Sequence, residues 1–298
     1  MTKFIELKGG LGNQLFQYFA GQIIAKESSE SAVFVLPNKG VHKIHHASTI
    51  LDLELPTIVD TEFLLINESV SPWHRGRRWL NRNSGISRNL FNRFSDTYTS
   101  GTVGFDSNLH KFKRSSFFEG YFQTYRYVAA FQEQTELLLR PKRPSLEYSL
   151  YLDRIIEKQP TVIHIRRGDY KPLKRTIGML GTEYYKNALR ALEEKNPGAP
   201  VWLFTDDLEG AEQVIGGLES EFDQIVSRDS ELSAAETMLL MSEAPSIIIA
   251  NSTFSWWAAY LGSNSREVIA PSPWYRANSI KDELIPVNWK LTNSVWEN

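Results

Sequence analysis

An arginine just past the carboxyl end of an apolar strand is well placed to hold a phosphate. The run Val162-Ile163-His164-Ile165-Arg166-Arg167-Gly168-Asp169-Tyr170 has that form. Open α/β sheets bind ligands in the crevice outside the carboxyl ends of their strands. The planar guanidinium fork gives a phosphate two parallel hydrogen bonds and never loses its charge. Gly168 would let the backbone turn sharply beside such a ligand. On its own the run is equally a strand ending in a surface turn with solvated charges, since short motifs match readily by chance.

Two more strand ends add to it: Thr205-Asp206-Asp207 after Val201–Phe204, and Asn251-Ser252-Thr253 after Ser246–Ala250. In one parallel sheet all three would share an edge. Ser252 and Thr253 stand before a helix, Phe254–Leu261, whose start they can cap and whose free N–H groups can hold an anion. Capping alone would also explain them. Asp206 or Asp207 could accept hydrogen bonds from a base or ribose, or could cap the next helix. Near the start of the chain, Gly9-Gly10-Leu11-Gly12-Asn13-Gln14 links a strand, Lys3–Leu7, to a helix over Leu15–Ala25. A dinucleotide fingerprint fails there, because Leu15 stands where the third glycine belongs. The glycines imply a close backbone approach, or only strand–helix packing, without naming a ligand. Phosphate donors with an acidic acceptor suggest a nucleotide.

A metal has no obvious home. The chain has no cysteine and no Asp-x-Asp pair, and His42, His45 and His46 lack an acidic partner at helical spacing. That histidine cluster reads as a polar loop. Charge on a leaving diphosphate would then fall to arginine and to helix N–H groups.

These residues need two positioning frameworks. In the second half strands alternate with helices: Thr161–Ile165, helix Glu183–Glu194, Val201–Phe204, helix Glu209–Ile215, Asp223–Val226, helix Ala234–Ser242, Ser246–Ala250, helix Phe254–Leu261, Glu267–Ala270. Such alternation predicts a parallel sheet with crossover helices. The first half is looser, with strands at Lys3–Leu7, Ala32–Leu36 and Ser116–Tyr121, and a helix or short strand within Glu62–Val70. Arg140-Pro141-Lys142-Arg143-Pro144 reads as the linker. The expected domains are therefore 1–143 and 144–298.

The 298 residues carry a net charge of -2, so no global basic field points to nucleic acid. The first 150 residues carry +4 and the rest -6. No apolar run approaches the roughly 20 residues of a membrane span, and the N-terminus has no secretory signal pattern. Pro72–Ser95 stands apart: six arginines, no acidic residue, and Trp73, Trp79, Phe91 and Phe94 interleaved. This basic insertion is either a solvated face or a surface for anionic lipid or single-stranded nucleic acid.

Three blocks together resemble the α-1,2-fucosyltransferases of glycosyltransferase family 11. They are Gly9-Gly10-Leu11-Gly12-Asn13-Gln14-Leu15-Phe16-Gln17-Tyr18, His164-Ile165-Arg166-Arg167-Gly168-Asp169-Tyr170, and Ile249-Ala250-Asn251-Ser252-Thr253-Phe254-Ser255-Trp256-Trp257-Ala258-Ala259. Leu240-Met241-Ser242, Val268-Ile269-Ala270-Pro271 and Trp274-Tyr275 are similar to that family as well. The blocks run in the family's order from Gly9 to Tyr275. The stretch from about Lys39 to Ser115 carries no matching block.

The resemblance implies an α/β protein of the glycosyltransferase B type, two Rossmann-like domains facing a cleft. It implies an N-terminal acceptor-side domain and a C-terminal nucleotide-sugar domain. It also implies inverting, metal-independent transfer of L-fucose from GDP-β-L-fucose, a co-substrate rather than a cofactor, to the 2-hydroxyl of a terminal galactose in an oligosaccharide or lipid-linked glycan. By motif, Arg166 holds the diphosphate, His164 lines the nucleotide site, and Ser252, Thr253, Phe254 and Ser255 face the phosphates. Gly10, Gly12 and Asn13 reach the sugar, Asp206 contacts the guanine or ribose, and Asp169 is the first candidate for catalytic base. Animal relatives carry a membrane anchor that is not visible here, so the expectation is a bacterial surface-polysaccharide enzyme of the cytoplasm, with peripheral association at the inner face of the membrane. Two rival readings are a sugar-nucleotide epimerase or dehydrogenase, which the failed fingerprint opposes, and a non-enzymatic glycan-binding module, which eight tryptophans would suit.

Overall fold

The computed structural model describes residues 2–37, 49–66, 97–100, 104–106, 115–218, 220–262, 266–277 and 284–297. The histidine cluster and the basic insertion 72–95 lie outside these residues. The chain divides into two compact units, Met1–Leu139 and Arg140–Asn298. The expected boundary lay between 143 and 144, within the same proline-bearing stretch.

Unit 1 has strands β1 (Thr2–Glu6), β2 (Ser31–Pro37), β3 (Thr61–Ile66), β4 (Thr97–Thr99) and β5 (Phe117–Glu119), with helices α1 (Leu11–Glu27) and α2 (Tyr125–Gln132). The sheet is parallel, in the order β3-β2-β1-β5-β4. The order reverses at β1, so the carboxyl ends of β1 and β5 border the switch point where such sheets open a crevice. Helix α1 is buried from Leu11 through Ala25 apart from Asn13. Its polar positions are consumed by neighbouring backbone. Gln17 accepts from the Lys8 N–H at 2.7 Å and Gln22 from that of Ile58 at 2.9 Å. Gln14 donates to the Gly9 carbonyl at 2.9 Å. A Cβ on Gly21 would lie 2.6 Å from the Phe34 ring, so glycine there lets the helix press onto the sheet. The helix starts at Leu11, earlier than the expected Leu15, because Leu11 and Gly12 already pack inside.

Unit 2 begins with α3 (Leu146–Lys158), then β6 (Thr161–Ile165), α4 (Thr182–Glu193), β7 (Val201–Thr205), α5 (Leu208–Gly217), β8 (Gln224–Val226), α6 (Ala234–Glu243), β9 (Ser246–Ile248), α7 (Thr253–Leu261), β10 (Glu267–Ser272) and β11 (Lys290–Asn293). All neighbours pair parallel in the order β8-β7-β6-β9-β10-β11. Counted within the unit this is 3-2-1-4-5-6, the doubly wound nucleotide-binding order, with its switch point between β6 and β9. Strand β6 is buried at all five positions, as expected of a parallel strand covered on both faces. Ile163, Ile165, Leu203, Ile248 and Ile269 pack against Tyr184, Tyr185, Ala188 and Leu192 of α4 and Ala211 and Val214 of α5.

Two buried charged residues hold helix ends in this unit. Glu236 completes a capping box with Ser233 at the start of α6 and also accepts from the Ser145 N–H at 2.6 Å, the residue that caps α3. Arg266 donates to the carbonyls of Ser242, Ala258 and Met241, which are orphan acceptors at or near the ends of α6 and α7. A cation there also opposes the negative helix ends. Gly262 makes room for it, since a Cβ would lie 2.5 Å from Arg266 Nη1. No helix among the described residues is long and apolar enough to cross a membrane.

Candidate active site

The switch point of unit 2 gathers the motif residues. Arg166 follows the last residue of β6, with its side chain 15% exposed. Its guanidinium is held by two carboxylates. Nε and Nη2 reach Asp169 Oδ1 at 3.0 and 2.8 Å, and Nη1 lies 3.2 Å from Asp206 Oδ2. Burial works to lower the Arg166 pKa, but Asp206 and then Asp169 outweigh it and hold the group above its ordinary value. A permanent cation is thus fixed in direction before any ligand arrives.

Asp206 and Asp207 have separate tasks, and Asp207 is the helix cap of the two. Asp206 Oδ1 accepts from the Arg167 backbone N–H at 2.8 Å, so this carboxylate braces both the turn and the guanidinium. Asp207 caps α5 through the Gly210 N–H at 2.8 Å and pairs with Lys171 at 2.7 Å. Gly168 has no positive φ. Its smallness is used instead for the brace, since a Cβ would fall 2.5 Å from Asp206 Oδ2.

His164 is 3% exposed and its ring centroid lies 5.7 Å from that of Phe254. Burial, and then the Arg166 charge, push its pKa down to about 3. The imidazole is therefore neutral at working pH, and its Nδ1 is buried without a hydrogen-bond partner. The unfolded chain would bind a proton near pH 6.5 that the folded chain refuses until about 3. Stability contributed by this residue is complete above pH 6.5 and is lost as pH falls toward 3, by up to about 1.4 kcal/mol per pH unit. Urea unfolding between pH 7 and 4 should show this slope in the wild type and a flatter one in His164→Phe.

The second edge of the switch point is the start of α7. Ser252 is its cap, accepting from the Phe254 N–H at 3.3 Å. Thr253 opens the helix and Phe254 sits over His164. Ser255 is fully buried and donates to the carbonyls of Ala250 and Ser252, both at 3.3 Å. The two edges are tied by Tyr170, whose hydroxyl donates to the Asn251 carbonyl at 2.9 Å, while Asn251 donates to the carbonyls of Ile177 and Gly178. Burial pushes the Tyr170 pKa up to about 12, so it remains a donor. Among the described residues no group of three or more His, Asp and Glu is arranged to hold a metal ion.

In unit 1 the glycine loop lies at the other switch point. Gly9 is left-handed, with φ +80°, and a Cβ there would fall 2.7 Å from Asn13 Nδ2. Gly10 precedes α1 without a side-chain cap, and Gly12 is buried in the first turn. Gln123, beyond β5, donates to Asn13 Oδ1 at 2.7 Å. Sequence gave no signal for Gln123 or for the tie through Tyr170, because both depend on pairings remote along the chain.

Asp169 is committed to Arg166, so its removal should act through that guanidinium. Asp169→Asn should weaken binding of a diphosphate ligand and slow turnover together, by roughly threefold to tenfold each, a modest effect for a half-exposed carboxylate. Isothermal titration with GDP beside steady-state kinetics checks it. Lost turnover with unchanged GDP affinity would instead give Asp169 the role of base.

The chain matches known proteins along nearly its whole length. The family model for Glycosyl transferase family 11 covers residues 4–293. An alpha-1,2-colitosyltransferase of Escherichia coli is 27% identical over 289 residues, 95% of this chain and 96% of that one. A galactoside 2-alpha-L-fucosyltransferase of Caenorhabditis elegans is 25% identical over 186 residues, 57% of this chain and 50% of that one. Among solved structures, a glycosyl transferase family 9 protein from Veillonella parvula superposes with a TM-score of 0.51 at 9% identity, covering all of this chain and 88% of that one. That likeness speaks to the fold alone, the glycosyltransferase B type with its two Rossmann-like units. With its three motif blocks set at the switch points of two parallel sheets, this chain is a glycosyltransferase and belongs to glycosyl transferase family 11.

Proposed function

We propose that the chain transfers L-fucose from GDP-β-L-fucose to the 2-hydroxyl of a terminal galactose, with inversion and without a metal. The observation that carries the donor half is Arg166, aimed by two carboxylates at the β6–β9 switch point beside the start of α7. The bond from the fucose anomeric carbon to the diphosphate oxygen breaks, GDP leaves, and the galactose oxygen bonds to that carbon as its proton departs. Arg166 stabilises the charge that develops on the diphosphate, the largest single electrostatic demand of such a step. His164 is neutral and offers a hydrogen bond without adding charge. With Asp169 and Asp206 both engaged by Arg166, we read the fucose as leaving early with cationic character, the galactose oxygen bonding from the opposite face and losing its proton late to solvent.

The acceptor reading is supported by the C. elegans relative, a galactoside fucosyltransferase. A second reading for the donor sugar, colitose, is favoured by the E. coli relative that aligns over 95% of this chain. Incubation with GDP-fucose or GDP-colitose and a panel of galactosides, with product masses and linkage analysis, tests both. No product from either donor would overturn the proposal. GDP should also raise the melting temperature, whereas a non-enzymatic glycan-binding module would ignore it. Activity is expected to survive EDTA, because the carboxylates at the switch point already serve a guanidinium. Loss on chelation with recovery on adding manganese or magnesium would give the leaving group to a metal instead.

A further inference from the structure

Arg167, the neighbour of the phosphate-facing arginine, points the other way. It lies beyond the end of β6 and is only 1% exposed. A buried guanidinium demands a counter-charge. Its Nη2 donates to the Leu180 carbonyl at 3.0 Å and lies 2.6 Å from Glu297 Oε1, while Nε and Nη1 are buried without partners. Among the described residues Glu297 is the one carboxylate paired with it.

Glu297 belongs to a segment strapped across the loop that follows the site. Val295 accepts from the Gly181 N–H at 2.7 Å, Glu297 donates its N–H to the Met179 carbonyl at 2.8 Å, and Leu180 bridges Trp296 in antiparallel fashion. Gly178 is left-handed, with φ +89°, and the Trp296 ring fills the place of its missing Cβ, 2.5 Å away. Arg276 donates to the Glu297 carbonyl at 2.7 Å. The same Arg167 whose side chain is gripped here gives its backbone N–H to Asp206, and its carbonyl accepts from Tyr170.

We infer that Glu297 is a positioning residue: by holding the Arg167 side chain it fixes the backbone of the 166–170 turn, and through that turn the direction in which Arg166 presents its guanidinium to a diphosphate. The inference rests on the donor half of the proposed function for its ligand, though not for its geometry.

The test uses the whole chain with GDP as the probe. Glu297→Gln keeps the shape and removes the charge. It should weaken GDP binding tenfold or more, and because it leaves the buried Arg167 charge without its counter-charge it should also lower the melting temperature, so binding is measured well below that temperature. In an Arg166→Lys background the same change should add little, because its effect runs through Arg166. Unchanged GDP affinity, or a loss that simply multiplies that of Arg166→Lys, would overturn the inference. Should Glu297→Gln fail to fold, Arg167→Met with Glu297→Met removes both charges at similar volume, a replacement buried ion pairs tolerate. This pair should fold and still bind GDP weakly, and wild-type affinity in it would reduce the clasp to charge neutralisation. Phenylglyoxal labelling of Arg166, mapped by peptide mass, gives a readout without nucleotide: Glu297→Gln should raise the rate severalfold, and an unchanged rate would also count against the clasp. Wild-type protein that ignores GDP while the labelling rate rises in Glu297→Gln would sink the donor reading and leave the clasp standing.

Discussion

Arg166→Lys should cut turnover about 30- to 1,000-fold, equivalent to roughly 2–4 kcal/mol of transition-state stabilisation, the range for removing one preorganised donor to a developing anion. The charge is unchanged by this substitution, so the loss isolates geometry. Arg166 spans three positions at once, with Nε and Nη2 on Asp169 and Nη1 on Asp206. Lysine offers one compact ammonium on a flexible stem. It can pair with one of the two carboxylates and would then be drawn toward that partner rather than presented to a phosphate. The loss should appear in kcat and in kcat/KM for the donor, with the KM for the galactoside little changed. Steady-state kinetics with the donor and acceptor varied separately measure it. Turnover within threefold of wild type would remove Arg166 from the leaving-group role, whatever its position in the sheet.

The second half of the chain was largely legible in its sequence because local pattern and global position coincide there. Thr161 to Ile165 form a short, mostly apolar run, and a fully covered parallel strand needs such a run. The polar residues after it stand at the carboxyl edge for a topological reason that alternation of strands and helices already implies. What stayed hidden depended on pairing across long separations. Helix α3 has only Tyr148 and Ile155 buried, with Leu146, Leu150 and Ile156 exposed, so its face is a weak signal beside Pro144. Strand β11 is an edge strand with no fully buried position, which leaves no alternation to read. The division of labour between Arg166 and Arg167 was equally hidden. Two adjacent arginines look alike as letters, and only the fold pairs one with Asp169 and Asp206 and the other with Glu297.

Asp206→Asn should destabilise the fold by about 1–3 kcal/mol and slow turnover about 10- to 100-fold. The asparagine oxygen can still accept from the Arg167 N–H, so the turn keeps that bond. The amide then faces Arg166 Nη1, donor against donor, in a place where Asp206 Oδ2 is already buried with no hydrogen bond of its own. A buried amide without an acceptor costs its full desolvation. One effect opposes this. With Asp206 gone the site carries one negative charge fewer, which by itself favours a diphosphate. The lost aim should outweigh that gain in the transition state, where charge is concentrated on the departing oxygen and direction matters most. In the ground state the two effects partly cancel. GDP affinity should therefore change by less than threefold while turnover falls. Urea unfolding, GDP titration and single-turnover transfer separate the three quantities. Tighter GDP binding with undiminished turnover would mean that Asp206 only repels the ligand, and that the brace on Arg166 has no part in transfer.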